Sequence, residues 1–152
     1  MKIISHRGNL NGPKLELENT KEYIDIAIEN NFDVEIDLWN VKNEYYLGHD
    51  KADYKVSLEW LENRKEKLWI HAKNFKAFEK LLEINNNFFF FYYTSEPLVL
   101  VSNGKIWCHQ LEKITIPKNC IAPLLSESSL LENKVTSWFG ICTDYPLLLK
   151  SL

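Results

Sequence analysis

The residues best placed to do chemistry begin at positions 33–37, Asp-Val-Glu-Ile-Asp. In a strand, successive side chains point to opposite faces, so Val34, Ile36 and Leu38 share one face and Asp33, Glu35 and Asp37 share the other. Carboxylates aimed from a buried strand need water, a basic partner or a metal ion to neutralise them. An edge strand with a solvated acidic face would look the same on this stretch alone. The surroundings tip the balance. His6-Arg7 follows an apolar run at 2–5, His49 follows an apolar run at 45–48, and His71 and Lys73 close a third at 67–72. Histidines exchange protons near neutral pH, and arginine and lysine bind anions. Taken singly, each group has a plain structural explanation. A lone histidine is more often structural than not. Lys73 would be a solvated lysine ahead of a helix, and Glu18 a first-turn carboxylate favoured by the helix dipole. Together, all of these explanations would have to hold at once. His109 shares a strand face with Lys105 and Trp107 and reads as structural, as do Trp39, Trp60, Trp69 and Trp138 as packing residues.

The elements that must position these groups alternate. Strands are expected at 2–5, 32–39, 45–48, 67–72, 88–93, 105–109, 120–124 and 139–143, with a further short apolar piece at 97–101. Thr20 is placed to cap a helix carrying Tyr23, Ile24, Ala27 and Ile28 on one side, which Asn30-Asn31 would end. Ser57 is placed to cap a short helix with Leu58, Trp60 and Leu61. A longer helix is expected at 75–84, one helical turn at 126–131, and turns at Lys42-Asn43, Asn85-Asn86-Asn87 and Asn103-Gly104. Strands alternating with helical stripes argue for βα units and a parallel sheet. In such a sheet the C-terminal strand ends share one rim, where active sites form. A full (β/α) barrel needs roughly 250 residues. At 152 residues, this chain is expected to form one α/β domain over 1–152, a compact TIM-like barrel with several helices shortened or missing.

Composition narrows the function classes. A hydrophobic fraction of 45% and an aromatic fraction of 13% are ample for a packed core. The net charge of −3 gives no bulk attraction to nucleic acid or anionic membrane. Of the 18 basic residues only Arg7 and Arg64 are arginine, so Arg7 invites a question about its task. Cys108, Cys120 and Cys142 form no CxxC pair and are expected to be reduced apolar fillers in a cytoplasmic protein. No signal peptide and no membrane span are read from the sequence.

The runs His6-Arg7-Gly8, Glu18-Asn19-Thr20, Glu35-Ile36-Asp37 and Gly48-His49-Asp50 resemble, in order and spacing, the motifs of the glycerophosphodiester phosphodiesterase family. That family is a TIM barrel related to phosphatidylinositol-specific phospholipases C. The segment 140–146 resembles the family's closing strand, whereas 51–139 is much shorter than usual and matches weakly. The resemblance implies His6 and His49 as a general acid/base pair, Arg7 and Lys73 as phosphate contacts, Glu35 and Asp37 as ligands to a divalent cation, and Glu18 as a support. On the fourth strand the family shows Glu-x-Lys, and this chain has His71-Ala72-Lys73. His71 therefore stands where a third metal-ligating carboxylate is expected, and would either ligate the ion, leave it to Glu35, Asp37 and water, or act on the phosphate instead. Mg²⁺ or Ca²⁺ is the ion the family implies. An imidazole ligand would favour Mn²⁺ or Zn²⁺.

The chemistry is coherent without the name. Arg7 and a metal would stabilise charge on phosphoryl oxygens. One histidine would take a proton from the nucleophile and the other would protonate the leaving alkoxide. Hydrolysis of a glycerophosphodiester, or of a similar polyol or sugar phosphodiester, is the leading expectation. A phosphate-ester binding module without turnover and a lyase giving a cyclic phosphate are the alternatives. A homodimer is also an expectation, because a shortened barrel leaves apolar flanks or an open edge for a second copy to cover.

Overall fold

The computed structural model describes residues 1–84, 87–93, 95–109, 117–132 and 138–152. The strands are β1 (Lys2–His6), β2 (Asp33–Val41), β3 (Glu44–Leu47), β4 (Tyr54–Val56), β5 (Leu68–Ala72), β6 (Phe89–Tyr92), β7 (Leu98–Leu100), β8 (Ile106–Cys108), β9 (Cys120–Pro123) and β10 (Gly140–Thr143). The helices are α1 (Lys21–Glu29), α2 (Leu58–Glu62), α3 (Phe75–Ile84), α4 (Glu127–Glu132) and α5 (Pro146–Ser151). The strands join in one 10-stranded sheet. Its parallel part runs β6-β5-β2-β1-β10-β9-β8, and β7 lies antiparallel against β8. The sheet curls into a reduced TIM-like barrel. Among the described residues no ladder joins β6 to β8. Ser102 bridges that seam: its hydroxyl donates to Phe88 O at 2.7 Å and accepts from Phe90 N at 3.0 Å.

Alternation along each strand sorts two cores. Val34, Ile36, Leu38, Leu68 and Ile70 face outward and meet Ile24 and Ala27 of α1 and Ala77 and Leu81 of α3. Ile4, Trp69, Phe91, Trp107, Ile121 and Cys142 fill the interior. Trp69 sits at its centre, with ring centroids 5.1 Å from Phe89, 6.5 Å from Trp107 and 6.1 Å from Phe139. Beneath it, Asp33 closes the N-terminal end, held by Lys2 at 2.9 Å, Lys67 at 3.3 Å and the Trp69 indole N–H at 3.2 Å.

Local signals explain the helices that make the crossovers. The Thr20 hydroxyl accepts from Tyr23 N and the Ser57 hydroxyl from Trp60 N, as N-caps should. Asn31 at φ 67° ends α1 in the left-handed region. Lys42 and Asn43, both at positive φ, make the hairpin turn between β2 and β3.

Several expectations need correction. The strand expected at 45–48 does not join the parallel set. It is β3, antiparallel to the outer half of β2, with Val41 opposite Glu44 and Leu38 opposite Leu47. β4 was not read from the sequence, nor was α5, where Pro146 stands at the first helical position. Cys108 and Cys120, on the outer faces of adjacent strands, form a disulfide, so only Cys142 is a free thiol. Burial pushes the Cys142 thiol well above its ordinary pKa. Of the turn at Asn85-Asn86-Asn87, Asn85 and Asn86 lie outside the described residues. No described helix is long and apolar enough to cross a membrane.

We predict that Trp69→Ala lowers stability by about 3–5 kcal/mol, the usual range for removing a large buried aromatic. Urea unfolding of the variant beside the wild-type protein measures it. A loss below about 1 kcal/mol would show that the interior does not depend on this ring.

Candidate active site

The C-terminal rim is assembled from segments far apart in sequence. His6 ends β1, and Arg7 follows it at φ 54°. Gly8 comes next at φ 92°, where an added Cβ would lie 2.9 Å from the Tyr23 ring and 3.1 Å from the Tyr23 backbone. Glycine there lets the start of α1 close on β1. Glu35 and Asp37 project inward from β2, opposite Trp69 and His71 of β5. Lys73 follows β5. His49 arrives by a different route: β2 overshoots the barrel, turns at Lys42-Asn43 and comes back as β3. Gly48 then turns the chain at φ 145°, where a Cβ would overlap the Lys51 carbonyl. The Trp39 indole N–H donates to Gly48 O at 2.7 Å and fixes this turn. Trp39 is therefore more than the packing residue its sequence context suggests.

Asp37 is the hub. Asn19 grips it twice, donating Nδ2 to Asp37 Oδ2 at 3.0 Å and accepting the Asp37 N–H at 2.9 Å. Arg7 Nε lies 3.0 Å from Oδ2, outside hydrogen-bond alignment. His49 Nδ1 is 3.3 Å from Oδ2, His71 Nδ1 is 3.0 Å from Oδ1, and Lys73 Nζ is 3.4 Å from Oδ1. Burial opposes ionisation of Asp37, but the close approach of His49 and His71 and the charge of Arg7 outweigh it and hold the carboxyl well below its usual range. Glu35 is the reverse case. Its Oε2 is 4.0 Å from His6 Nε2 and its Oε1 3.9 Å from His71 Nδ1, too far for hydrogen bonds. Burial, then the charge of Asp37, push its pKa up. Glu35 Oε2 and Asp37 Oδ1 are both buried without a hydrogen bond. Glu35, Asp37 and His71 offer ligand atoms within 4.8 Å of one another, and so could hold a metal ion.

Each histidine has its own tether. His6 Nδ1 lies 2.8 Å from Asp144 Oδ1, so Nδ1 carries the proton and Nε2 faces the cavity side of Glu35. Burial works against protonating His6, yet the Asp144 hydrogen bond and the Glu35 charge raise its pKa above the ordinary value. His49, nearly half exposed, has Nε2 3.4 Å from Arg7 NH2. Glu18 does not act at the helix start as a dipole partner alone. It accepts from Arg7 NH1 at 3.0 Å and from Asn9 Nδ2 at 2.8 Å. Asn9 Nδ2 also donates to Asp144 Oδ1 at 2.8 Å, linking Glu18 to the tether of His6.

The structure thus gathers His6, Arg7, Glu18, Glu35, Asp37, His49, His71 and Lys73 at one rim. The sequence reading left out Asp144, Asn9 and Asn19. Asp144 had a usable signal, since Gly140, Cys142 and Asp144 alternate onto the inner face of the strand beside β1. Asn19 lies inside the Glu18-Asn19-Thr20 run, and Asn9 had no signal beyond lying beside Gly8. His109 is also at the rim. It lines the same cavity of about 320 Å³, and burial, then the charge of His71, lower its pKa to about 4.

No protein-family model matches this chain, and no curated protein matches it. Among solved structures, the chain superposes on the crystal structure of a glycerophosphodiester phosphodiesterase from Agrobacterium tumefaciens str. C58 with a TM-score of 0.60. The superposition covers 99% of this chain and 99% of that chain at 15% sequence identity. At that identity the likeness shows the fold alone, a reduced TIM-like barrel.

Proposed function

We propose that this chain is a metal-dependent phosphodiester hydrolase acting on a glycerophosphodiester or a similar polyol or sugar phosphodiester. One observation carries the reading. Two buried carboxylate oxygens without hydrogen bonds stand beside two separately tethered histidines, an arginine and a lysine, on a fold shared with a phosphodiesterase. Glu35, Asp37 and His71 would hold the ion, and the orphaned Glu35 Oε2 and Asp37 Oδ1 fit that task. Two carboxylates and an imidazole suit Mn²⁺ or Zn²⁺ better than an all-oxygen set would. Bound there, the ion would supply Lewis-acid stabilisation of charge on the phosphoryl oxygens.

The chain's own residues do the rest. Arg7 and Lys73 face the phosphate as cationic donors. Glu18 holds the Arg7 guanidinium in place. Asp144 fixes the tautomer of His6, so its Nε2 is the atom that takes or returns a proton. His49 Nε2 is the corresponding atom on the open side. One histidine removes the proton of the attacking water, and the other protonates the departing alkoxide.

A second reading has one observation in its favour. Arg7, His49, His71 and Lys73 already surround Asp37, which is balanced without an added cation. On that reading the rim binds a phosphate ester and does not turn it over.

Incubation with a panel of phosphodiesters and Mg²⁺, Mn²⁺, Ca²⁺ or Zn²⁺ is expected to show turnover. His6→Ala and His49→Ala should each lower kcat by about 10²–10⁴-fold, the usual contribution of general acid–base catalysis, with little change in unfolding midpoint. Full activity in both variants would remove the pair from the mechanism. No turnover with any combination, while a diester still raises the melting temperature, would establish the binding module. A cyclic phosphate as first product would make a substrate hydroxyl the nucleophile.

Chelation should abolish turnover. Mn²⁺ at a hundred times its Kd should stabilise the wild-type protein by about 2.7 kcal/mol, and Glu35→Gln should lose most of that gain. A melting temperature indifferent to all four ions would count against the metal.

A further inference from the structure

The cavity at the rim has two unlike halves. Toward β1, β2 and β5 it is charged and holds the residues assigned above. Toward β6, β8 and β9 it is lined by Phe91, Tyr93, Trp107, His109, Pro123 and Leu125. Among the described residues, that second half carries no carboxylate, lysine or arginine.

Its aromatic rings are ordered in layers. Phe91 and Trp107 stack with centroids 4.5 Å apart and planes 21° apart. Tyr93 and His109 stack above them at 3.7 Å and 27°. The layers begin at the candidate metal cluster, because the His71 ring lies nearly parallel to Phe91 at 5.0 Å and 9°. From His71 the Tyr93 and His109 rings are 6.5 Å and 6.4 Å away. A phosphate held at the charged half has this wall on one side. On the other, beside Arg7 and His49, is a second and more polar recess that includes Glu18, Asp50 and Asp53. The two ester groups therefore meet unlike surroundings.

The wall discriminates between chemical types. A polyol placed there would give up water for a surface whose few side-chain polar atoms, among the described residues, include the Tyr93 hydroxyl and the His109 ring nitrogens. A flat apolar group would gain both burial and stacking. At about 320 Å³ the cavity is at the small end for ligand sites, which suits a phosphate with a single ring better than one with a long chain.

We propose that one of the two alcohols of the substrate phosphodiester is a flat apolar ring, held against Tyr93, His109 and Leu125, and that these residues set specificity. This inference rests on the phosphodiester reading and names the group on one side of the phosphorus.

Phenylphosphonate and methylphosphonate carry the same phosphoryl group and differ by the ring, and neither is a diester that can be turned over. Calorimetric titration of the protein with each, in the presence of Mn²⁺, reads binding without reference to activity. The phenyl compound should bind about tenfold more tightly, the scale of one well-buried stacked ring. Tyr93→Ala and Leu125→Asn should cut that advantage to about twofold or less while leaving methylphosphonate binding unchanged, and Tyr93→Phe should keep it. Leu125 is 39% exposed, so the uncharged Leu125→Asn tests the wall even where Tyr93→Ala fails to fold. Equal affinity for the two phosphonates, or tighter binding of glycerol phosphate than of phenylphosphonate, overturns the ring and leaves the phosphodiester reading standing. No binding of any of the three overturns the phosphodiester reading, and the ring with it.

Discussion

A carboxylate with no exposed surface must be kept charged at the centre of this sheet, and the rim is built to do it. Asp37 is fully buried and sits on β2 between β1 and β5. Its charge is met by Arg7 after β1, Asn19 before α1, His49 after β3, and His71 and Lys73 on and after β5. They come from four places in the chain, since His71 and Lys73 share the end of β5. Withdrawing the carboxylate would leave these cations and donors facing one another in a poorly solvated space, and a broken buried charge set costs more than an intact one contributes. The constraint therefore reaches beyond one side chain. It fixes how the first loop, the hairpin and β5 must lie relative to one another.

The hairpin shows how a short chain meets this constraint. In a full barrel, a strand end at each position of the rim comes with its own crossover helix. Here β2 runs past the rim, reverses and returns as β3, which brings His49 back to Asp37 across a sequence separation of 12. The device depends on backbone freedom at Lys42, Asn43 and Gly48 and on the Trp39 indole bond to the Gly48 carbonyl. It leaves His49 on the open side of the site, nearly half exposed, while His6 on β1 is enclosed. The two histidines thus work in different dielectric surroundings although they flank one site.

What could be read beforehand was whatever a period or a local bond encodes. The period of two on residues 33–37 placed Glu35 and Asp37 inward correctly, and Thr20 and Ser57 cap the helices they were expected to cap. The direction of β3 was not legible, because an apolar run of four has the same pattern whether it is parallel or antiparallel. The pairing of Cys108 with Cys120 was also beyond reach, since it depends on β8 and β9 being neighbours. Asp144 shows the limit most clearly. It lies 138 residues from His6, and only the closure of β10 against β1 makes it the tether of that ring.

The acidic stretch contains its own control. Asp33, Glu35 and Asp37 lie on one face of one strand, and all three are buried. Asp33, at the floor of the barrel, is fully engaged by Lys2, Lys67 and the Trp69 indole. Those bonds close the end of the barrel and give both Asp33 oxygens a donor. Two residues along, Glu35 Oε2 has no partner, and two residues further Asp37 Oδ1 has charges nearby but no aligned donor. A buried oxygen left in that condition is costly. All three are buried acids on one strand. The difference lies in hydrogen bonding: both Asp33 oxygens meet donors, whereas Glu35 and Asp37 each keep one buried oxygen without an aligned donor.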